Sequence, residues 1–245
     1  MKEVTKFRLG AWLIFAAALA AVLCLGVSVA NGQDSIGLKN TERYVWHGFE
    51  LYDKSYVHTG AAANIRGFDI AAISHADDLE ADDFEYWDAA VSYSELTKIL
   101  GLNLSAGYNY LVLPTMDAQE ISGTISMPGT VSPRYTISHI IPDNSNNGQV
   151  HVLGLDYPIG DMSDPNAVTA VLSADVTYND GVNPFGQTVI RDFTHASAGL
   201  IVNLPVHNMV IQPGVIWQHT FNDALDVLTG DKNEVWYTIG VYYRY

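Results

Sequence analysis

The sequence predicts an all-β protein, a closed antiparallel transmembrane β-barrel of about 12 strands within a range of roughly 10 to 12. Three observations lead there. Apolar residues recur at every second position, turn-forming residues cut the chain at fairly regular intervals, and charge is concentrated in the connections. A chain of 245 residues with 48% hydrophobic, 16% charged and 11% aromatic residues folds. Its 20 Gly and 9 Pro exclude a collagen-like or low-complexity protein. The mean hydropathy of +0.08 excludes a polytopic helical membrane protein, because each helical span needs roughly 20 continuous apolar residues. The formal charge of −15 argues against nucleic acid as a partner, since phosphate-binding surfaces need cations.

The one long apolar stretch is N-terminal. Lys2, Lys6 and Arg8 precede the run from Ala11 to Val29, and Ser28-Val29-Ala30 offers the small residues that a signal peptidase reads. Residues 1–30 therefore read as a signal peptide and 31–245 as the barrel, with an uncleaved anchor as the alternative, since the run is long enough to span a bilayer. Cleavage removes Lys2, Glu3, Lys6 and Arg8, leaving 9 basic and 26 acidic residues and a formal charge of −17. The one cysteine, Cys24, goes with the signal. Leu23 stands where a lipoprotein signal would have a small residue, so lipidation is not expected. An exported chain without disulfides must be stabilised by a large core or by a membrane.

The strands follow in order. Tyr44 to Leu51 reads as the first. Trp87, Ala89, Val91 and Tyr93 alternate with Asp88, Ala90, Ser92 and Ser94. Leu102, Leu104, Ala106, Tyr108 and Tyr110 oppose Asn103, Ser105, Gly107 and Asn109. Ile121, Gly123, Ile125 and Met127 oppose Glu120, Ser122, Thr124 and Ser126, and Val168, Ala170, Leu172, Ala174 and Val176 oppose Thr169, Val171, Ser173, Asp175 and Thr177. At the C-terminus Val235, Tyr237, Ile239, Val241, Tyr243 and Tyr245 form one face, and Trp236, Thr238, Gly240, Tyr242 and Arg244 the other. A period of two over roughly 9 to 12 residues is that of a membrane-spanning strand.

Breaks are expected at 52–55, 64–67, 76–83, 95–100, 114–118, 128–132, 142–148, 158–166, 179–187, 205–208 and 222–233. With the N-terminus on the periplasmic side, 76–83, 142–148, 179–187 and 222–233 fall outside, while the inner turns are mostly short, 158–166 excepted. That asymmetry is expected of outer-membrane barrels.

Alternation alone does not separate a membrane barrel from a soluble β protein. The chemistry of the faces does. A soluble sandwich loads its polar face with Lys, Glu and Arg, whereas here that face carries mostly Ser, Thr, Asn and Gly. Aromatics gather near strand ends, at Tyr44, Trp46, Tyr52 and Tyr56, at Phe84, Tyr86 and Trp87, and at Trp217, Phe221, Trp236 and Tyr245, as amphipathic rings do at a bilayer interface.

The last strand, ending at Tyr245, resembles the C-terminal targeting signal of bacterial outer-membrane proteins, with Tyr in place of the usual Phe. Tyr44-Val45-Trp46-His47-Gly48-Phe49-Glu50-Leu51, Pro114-Thr115-Met116-Asp117-Ala118-Gln119-Glu120, Pro133-Arg134-Tyr135-Thr136 and the stretch from Gly148 to Gly160 are similar to TorF-type porins of Gram-negative bacteria. That resemblance implies an outer-membrane barrel with poorly defined substrates, assembled through its C-terminal strand by the barrel-assembly machinery.

Candidate lumen residues are Asp88, Asn103, Asn109, Glu120, Arg134, Asp175 and Arg244. Ionisable groups away from water should pair, so Glu120 is expected to meet Arg134 across a hairpin, and Arg244 to meet Glu42 where the barrel closes. Such pairs either stabilise a narrow interior or line a selective pore. The loop from His75 to Glu85 holds Asp77, Asp78, Glu80, Asp82 and Asp83, hard oxygen ligands for Ca²⁺ or Mg²⁺. Its spacing fits no EF-hand, and a solvated acidic loop is the simpler account.

His195 and Ser197 share one face of a strand, as a base and a nucleophile would. The H-x-S pattern resembles outer-membrane lipid A deacylases of the PagL type, but Ala198 stands where that family has Asn. The apolar set Ala196, Ala198, Leu200 and Val202 turns the pair inward, away from lipid. The remaining histidines show no HExxH or H-x-x-x-H spacing. The expected function is a passive channel for small solutes, without a cofactor, in contact with outer-membrane lipid. Two alternatives of other classes are a lipid-modifying hydrolase using His195 and Ser197, and a soluble exported β-sandwich that binds a ligand.

Overall fold

The structure, a computed structural model, describes residues 35–41, 44–46, 49–52, 56–65, 68–77, 84–99, 102–112, 117–143, 147–182, 189–221 and 233–244. The expected signal peptide, Glu42, the acidic positions Asp78, Glu80, Asp82 and Asp83, and Tyr245 lie outside these residues. Every described element is a strand: β1 (Ser35–Thr41), β2 (Tyr44–Trp46), β3 (Phe49–Tyr52), β4 (Tyr56–Ile65), β5 (Phe68–Asp77), β6 (Phe84–Ile99), β7 (Leu102–Val112), β8 (Asp117–Ser126), β9 (Ser132–Pro142), β10 (Gly148–Ile159), β11 (Thr169–Asp180), β12 (Arg191–Val206), β13 (Met209–Thr220) and β14 (Asn233–Arg244).

Apart from β2 and β3, the strands form one antiparallel sheet in the order β1–β14–β13 and so on down to β4. The sheet closes at β1, whose Ser35 pairs with Arg244 of β14 on one edge and with Ala62 of β4 on the other. The Thr238 hydroxyl adds a side-chain bond across this seam, donating to the Asn40 carbonyl at 3.1 Å. Closure leaves no unpaired edge, which is the condition a β-protein must meet to stand in hydrocarbon.

The segment expected as the first barrel strand behaves differently. Tyr44–Trp46 and Phe49–Tyr52 form the separate β2–β3 ribbon, and the strand at the seam is Ser35–Thr41. In 44–52 the apolar residues Tyr44, Val45 and Trp46 are consecutive, so neither face is consistently apolar. In β1, Leu38 points outward and is exposed while Thr41 is buried.

Connections alternate between the two ends of the sheet. The described turns 127–131, 160–168 and 207–208 lie at the end where Ser35 meets Arg244, and Thr41, Asp77, Asp117, Pro142, Gly148, Asp180, Arg191, Thr220 and Asn233 bound their strands at the opposite, loop end. His207-Asn208 is a two-residue turn, where Val206 pairs with Met209 and His207 takes φ 57°.

The two faces carry opposite chemistry to that of a soluble protein. In β14 every odd-numbered residue from Asn233 to Tyr243 is exposed and Glu234, Trp236 and Thr238 are buried. Val235, Ile239 and, on β10, Leu153 are 53, 52 and 58% exposed. The outward apolar row of β11 runs from Val168 to Tyr178. Ten steps of about 3.3 Å, inclined by about 40°, give a band about 25 Å tall. Near the loop end an aromatic row crosses four strands on the outer face, with ring centroids 6.2 Å apart for Tyr135 and His151, 6.1 Å for His151 and Tyr178, and 5.3 Å for Tyr178 and Phe193. Trp217, His219 and Phe221 stack in the same way on β13 and just past it. Trp236, which the sequence places among the interface aromatics, instead lies inside, because it shares the face of Glu234 and Thr238.

Candidate functional site

The interior divides into two halves. Toward the terminus end it is polar and partly hydrated. Arg134 on β9 donates from Nε to Asp156 Oδ2 on β10 at 3.0 Å, and its Nη2 stands 3.5 Å from Asp175 Oδ2 on β11. These side chains remain 27, 30 and 19% exposed, so the site is reached by water. Arg134 is directly opposite Gly154, which is itself opposite Asp175. A Cβ on Gly154 would stand 2.7 Å from Arg134 Cζ; the bare backbone lets the guanidinium cross an entire strand. Asp175 lies directly opposite Ser197 on β12, and the inner row continues to Gln218 on β13. Nearer the same end, Gln212 Nε2 donates to Asn203 Oδ1 at 2.8 Å and Asn203 Nδ2 to Thr169 Oγ1 at 3.1 Å.

Toward the loop end the interior is buried and holds an apolar cluster beside buried polar side chains. Leu111, Ala118, Ile140, Val150, Val182 and Ile190 form one buried cluster, with Ile140, Val150 and Val182 at 0% exposure. Val182 is held by Asn179, whose Nδ2 donates to the Val182 carbonyl at 2.7 Å and whose Oδ1 accepts from the Val182 N–H at 2.8 Å. Between them Gly181 takes φ 107°, a conformation open to glycine, and its N–H bonds the Ile190 carbonyl at 2.7 Å. Thr177, Thr194, His195, Gln218, Thr220, Glu234 and Thr238 are buried at neighbouring levels.

The expected pair of Glu120 with Arg134 is not formed, and that of Arg244 with Glu42 falls outside the described residues. Glu120 lies opposite Ile140, whereas Arg134 lies opposite Ser126, so about 20 Å of strand separates them and Glu120 does not meet Arg134. The reason is hairpin register: Arg134 is close to the 127–131 turn and Glu120 far from it. Asp156, on the inner face beside Gly154, takes the role instead. Arg244 lies opposite Ser35 and donates from Nη1 to the Pro165 carbonyl at 3.0 Å; this ties the end of β14 to the 160–168 turn, which belongs to strands further round the barrel. Asn103 and Asn109 lie on the half-buried inner face of β7, and Asn109 Oδ1 is buried without a hydrogen bond. Asp88 pairs with Leu111 and Ile73. Lys39, on the inner face of β1 opposite Gly240, is an interior cation that the sequence reading missed.

His195 and Ser197 both lie on the inner face, but they have different neighbours. His195 Nδ1 bonds the Thr194 hydroxyl at 3.1 Å and Nε2 the Thr177 hydroxyl at 3.2 Å, while Ser197 lies between Asp175 and Gln218 in the cross-strand row. A register shift at Thr177/Tyr178 places Thr194 as an extra residue in β12, burying it beside His195. Asp77 closes β5 opposite Tyr56. Among the described residues no group of three His, Cys, Asp or Glu side chains is placed to hold a metal.

The fold is that of porin-type β-barrels. The chain superimposes on the KdgM porin with a TM-score of 0.54 at 10% identity, covering 85% of this chain and 98% of that one. The NanC porin gives 0.54 at 9% identity over 85 and 98%, and LpxR from Salmonella typhimurium gives 0.52 at 7% identity over 85 and 99%. No protein-family model matches the sequence, and no curated protein matches it. Likenesses of this kind are of fold, and the same fold serves different ends, so function has to be argued from the interior and the outer face.

Proposed function

We propose that the protein is an outer-membrane, porin-like channel for small solutes, a barrel of 12 strands exported through the signal at residues 1–30. One observation carries the reading: outside the loop-end cluster and Trp236, the large apolar side chains face outward and the hydrogen-bonding side chains inward, over a band of bilayer height. A soluble β-sandwich buries its apolar face, and so many exposed aliphatic side chains would make it aggregate. The outer face takes outer-membrane lipid, the aromatic row lies at the interface, and the last strand, ending at Tyr245, is the segment offered to the assembly machinery. No cofactor enters the account. The hydrated charges at Arg134, Asp156 and Asp175 form the path for solutes, and the apolar cluster under the loop-end connections narrows it.

Planar-bilayer recording tests this. Folded protein, verified by heat-modifiable gel migration, should give discrete conductance steps smaller than those of open 16-strand porins, and Val150→Ser with Val182→Ser should enlarge them. Absence of current from both the wild type and the double variant, each folded, would overturn the channel.

A further inference from the structure

We propose that Arg134, Asp156 and Asp175 form the charge filter of the barrel and make it select cations over anions. The inference rests on the channel reading and adds the class of solute to it. A lone inward arginine would attract anions. Here the guanidinium is laid along the wall across Gly154 and shared between two carboxylates on two successive strands, so it serves as a tethered counterion. The trio carries one net negative charge with its oxygens partly hydrated. On the far side Asp175 is flanked by Ser197, directly opposite it on β12. Among the described residues, Arg244 at the terminus end donates to the Pro165 carbonyl, and Lys39 stands further along β1 opposite Gly240. A cation entering from that end therefore meets carboxylate oxygens at the filter, while the Arg134 guanidinium there is shared between Asp156 and Asp175.

The geometry also says which substitutions move selectivity and in which direction. Each kT of lumen potential changes the local concentration of a monovalent ion by about threefold. In bilayers separating unequal KCl concentrations, the wild-type protein should pass K⁺ over Cl⁻ by roughly threefold or more. Asp156→Asn with Asp175→Asn should bring the ratio to unity or below, and Arg134→Ala should raise it. Gly154→Ala, which keeps every charge but pushes the guanidinium off the wall, should lower it. Heat-modifiable migration verifies folding of each variant. Anion preference in the wild type, or a ratio unmoved by the double Asn variant, would overturn the filter while leaving the channel intact; absence of current in every folded protein would overturn the channel itself.

Discussion

The Arg134 guanidinium reaches the Asp175 carboxylate at 3.5 Å from two strands away, and it does so over a residue without a side chain. Three positions on β9, β10 and β11 are thus one unit, and Gly154 is as much a part of it as the charges. Gly154→Val should destabilise the barrel by about 1–3 kcal/mol through overpacking. Combining it with Arg134→Ala should recover part of that loss in a double-mutant cycle followed by urea unfolding. Additive costs would mean that the two residues do not meet.

On the outer face, Leu172 stands near the middle of the apolar row and is exposed, while its neighbour Ser173 faces inward. Leu172→Arg should cost about 2–4 kcal/mol in lipid. Ser173→Asn should change stability little. Equal effects at the two positions, measured by unfolding in vesicles, would contradict the assignment of faces.

The loop-end cluster is held at one corner by Asn179. Asn179→Ala removes both bonds to the Val182 backbone and should cost about 1–3 kcal/mol. Ile140→Ala, at a fully buried position, should cost about 2–5 kcal/mol. Both should also raise conductance; stability losses without any rise would separate the cluster from the solute path.

Acidity offers a local test in the 160–168 turn. Ser163 donates to Asp161 Oδ1 from its hydroxyl at 2.6 Å and from its backbone N–H at 3.0 Å. The hydroxyl bond, with the backbone bond after it, lowers the Asp161 pKa from 3.8. A depressed carboxylate pKa stabilises the turn above the unfolded value, and that contribution is lost as the pH falls through the lowered one. Ser163→Ala should move the Asp161 titration upward in carboxyl NMR. An unchanged midpoint would show that the hydroxyl does not hold the charged form.

Much of this architecture is legible in the sequence, for a physical reason. Lipid on one side and a polar interior on the other impose a period of two, so the faces of 102–110, 120–127, 168–177 and 235–243 can be read directly. The interior details are less legible. At Ile140-Ile141 and Val152-Leu153 both faces are apolar, and the period that would reveal a buried cluster disappears. Ion pairs depend on cross-strand register, which a turn sets. Counting outward from 127–131 puts Arg134 opposite Ser126 and rules out Glu120, while Asp156 and Lys39 come to the interior only once the register of β10 and β1 is known. The first barrel strand was missed because the aromatic ribbon at 44–52 looked more strand-like than Ser35–Thr41.

The central claim is that this barrel is apolar outside and polar within, and the absence of cysteine other than Cys24 allows a direct measurement. In a Cys24→Ser background, single cysteines at each position from 170 to 176 can be spin-labelled in lipid and exposed in turn to oxygen and to a water-soluble relaxation agent. The account predicts strict alternation, with 170, 172, 174 and 176 relaxed by oxygen and 171, 173 and 175 by the aqueous agent. Uniform aqueous access along the whole segment, or the opposite phase, would contradict it.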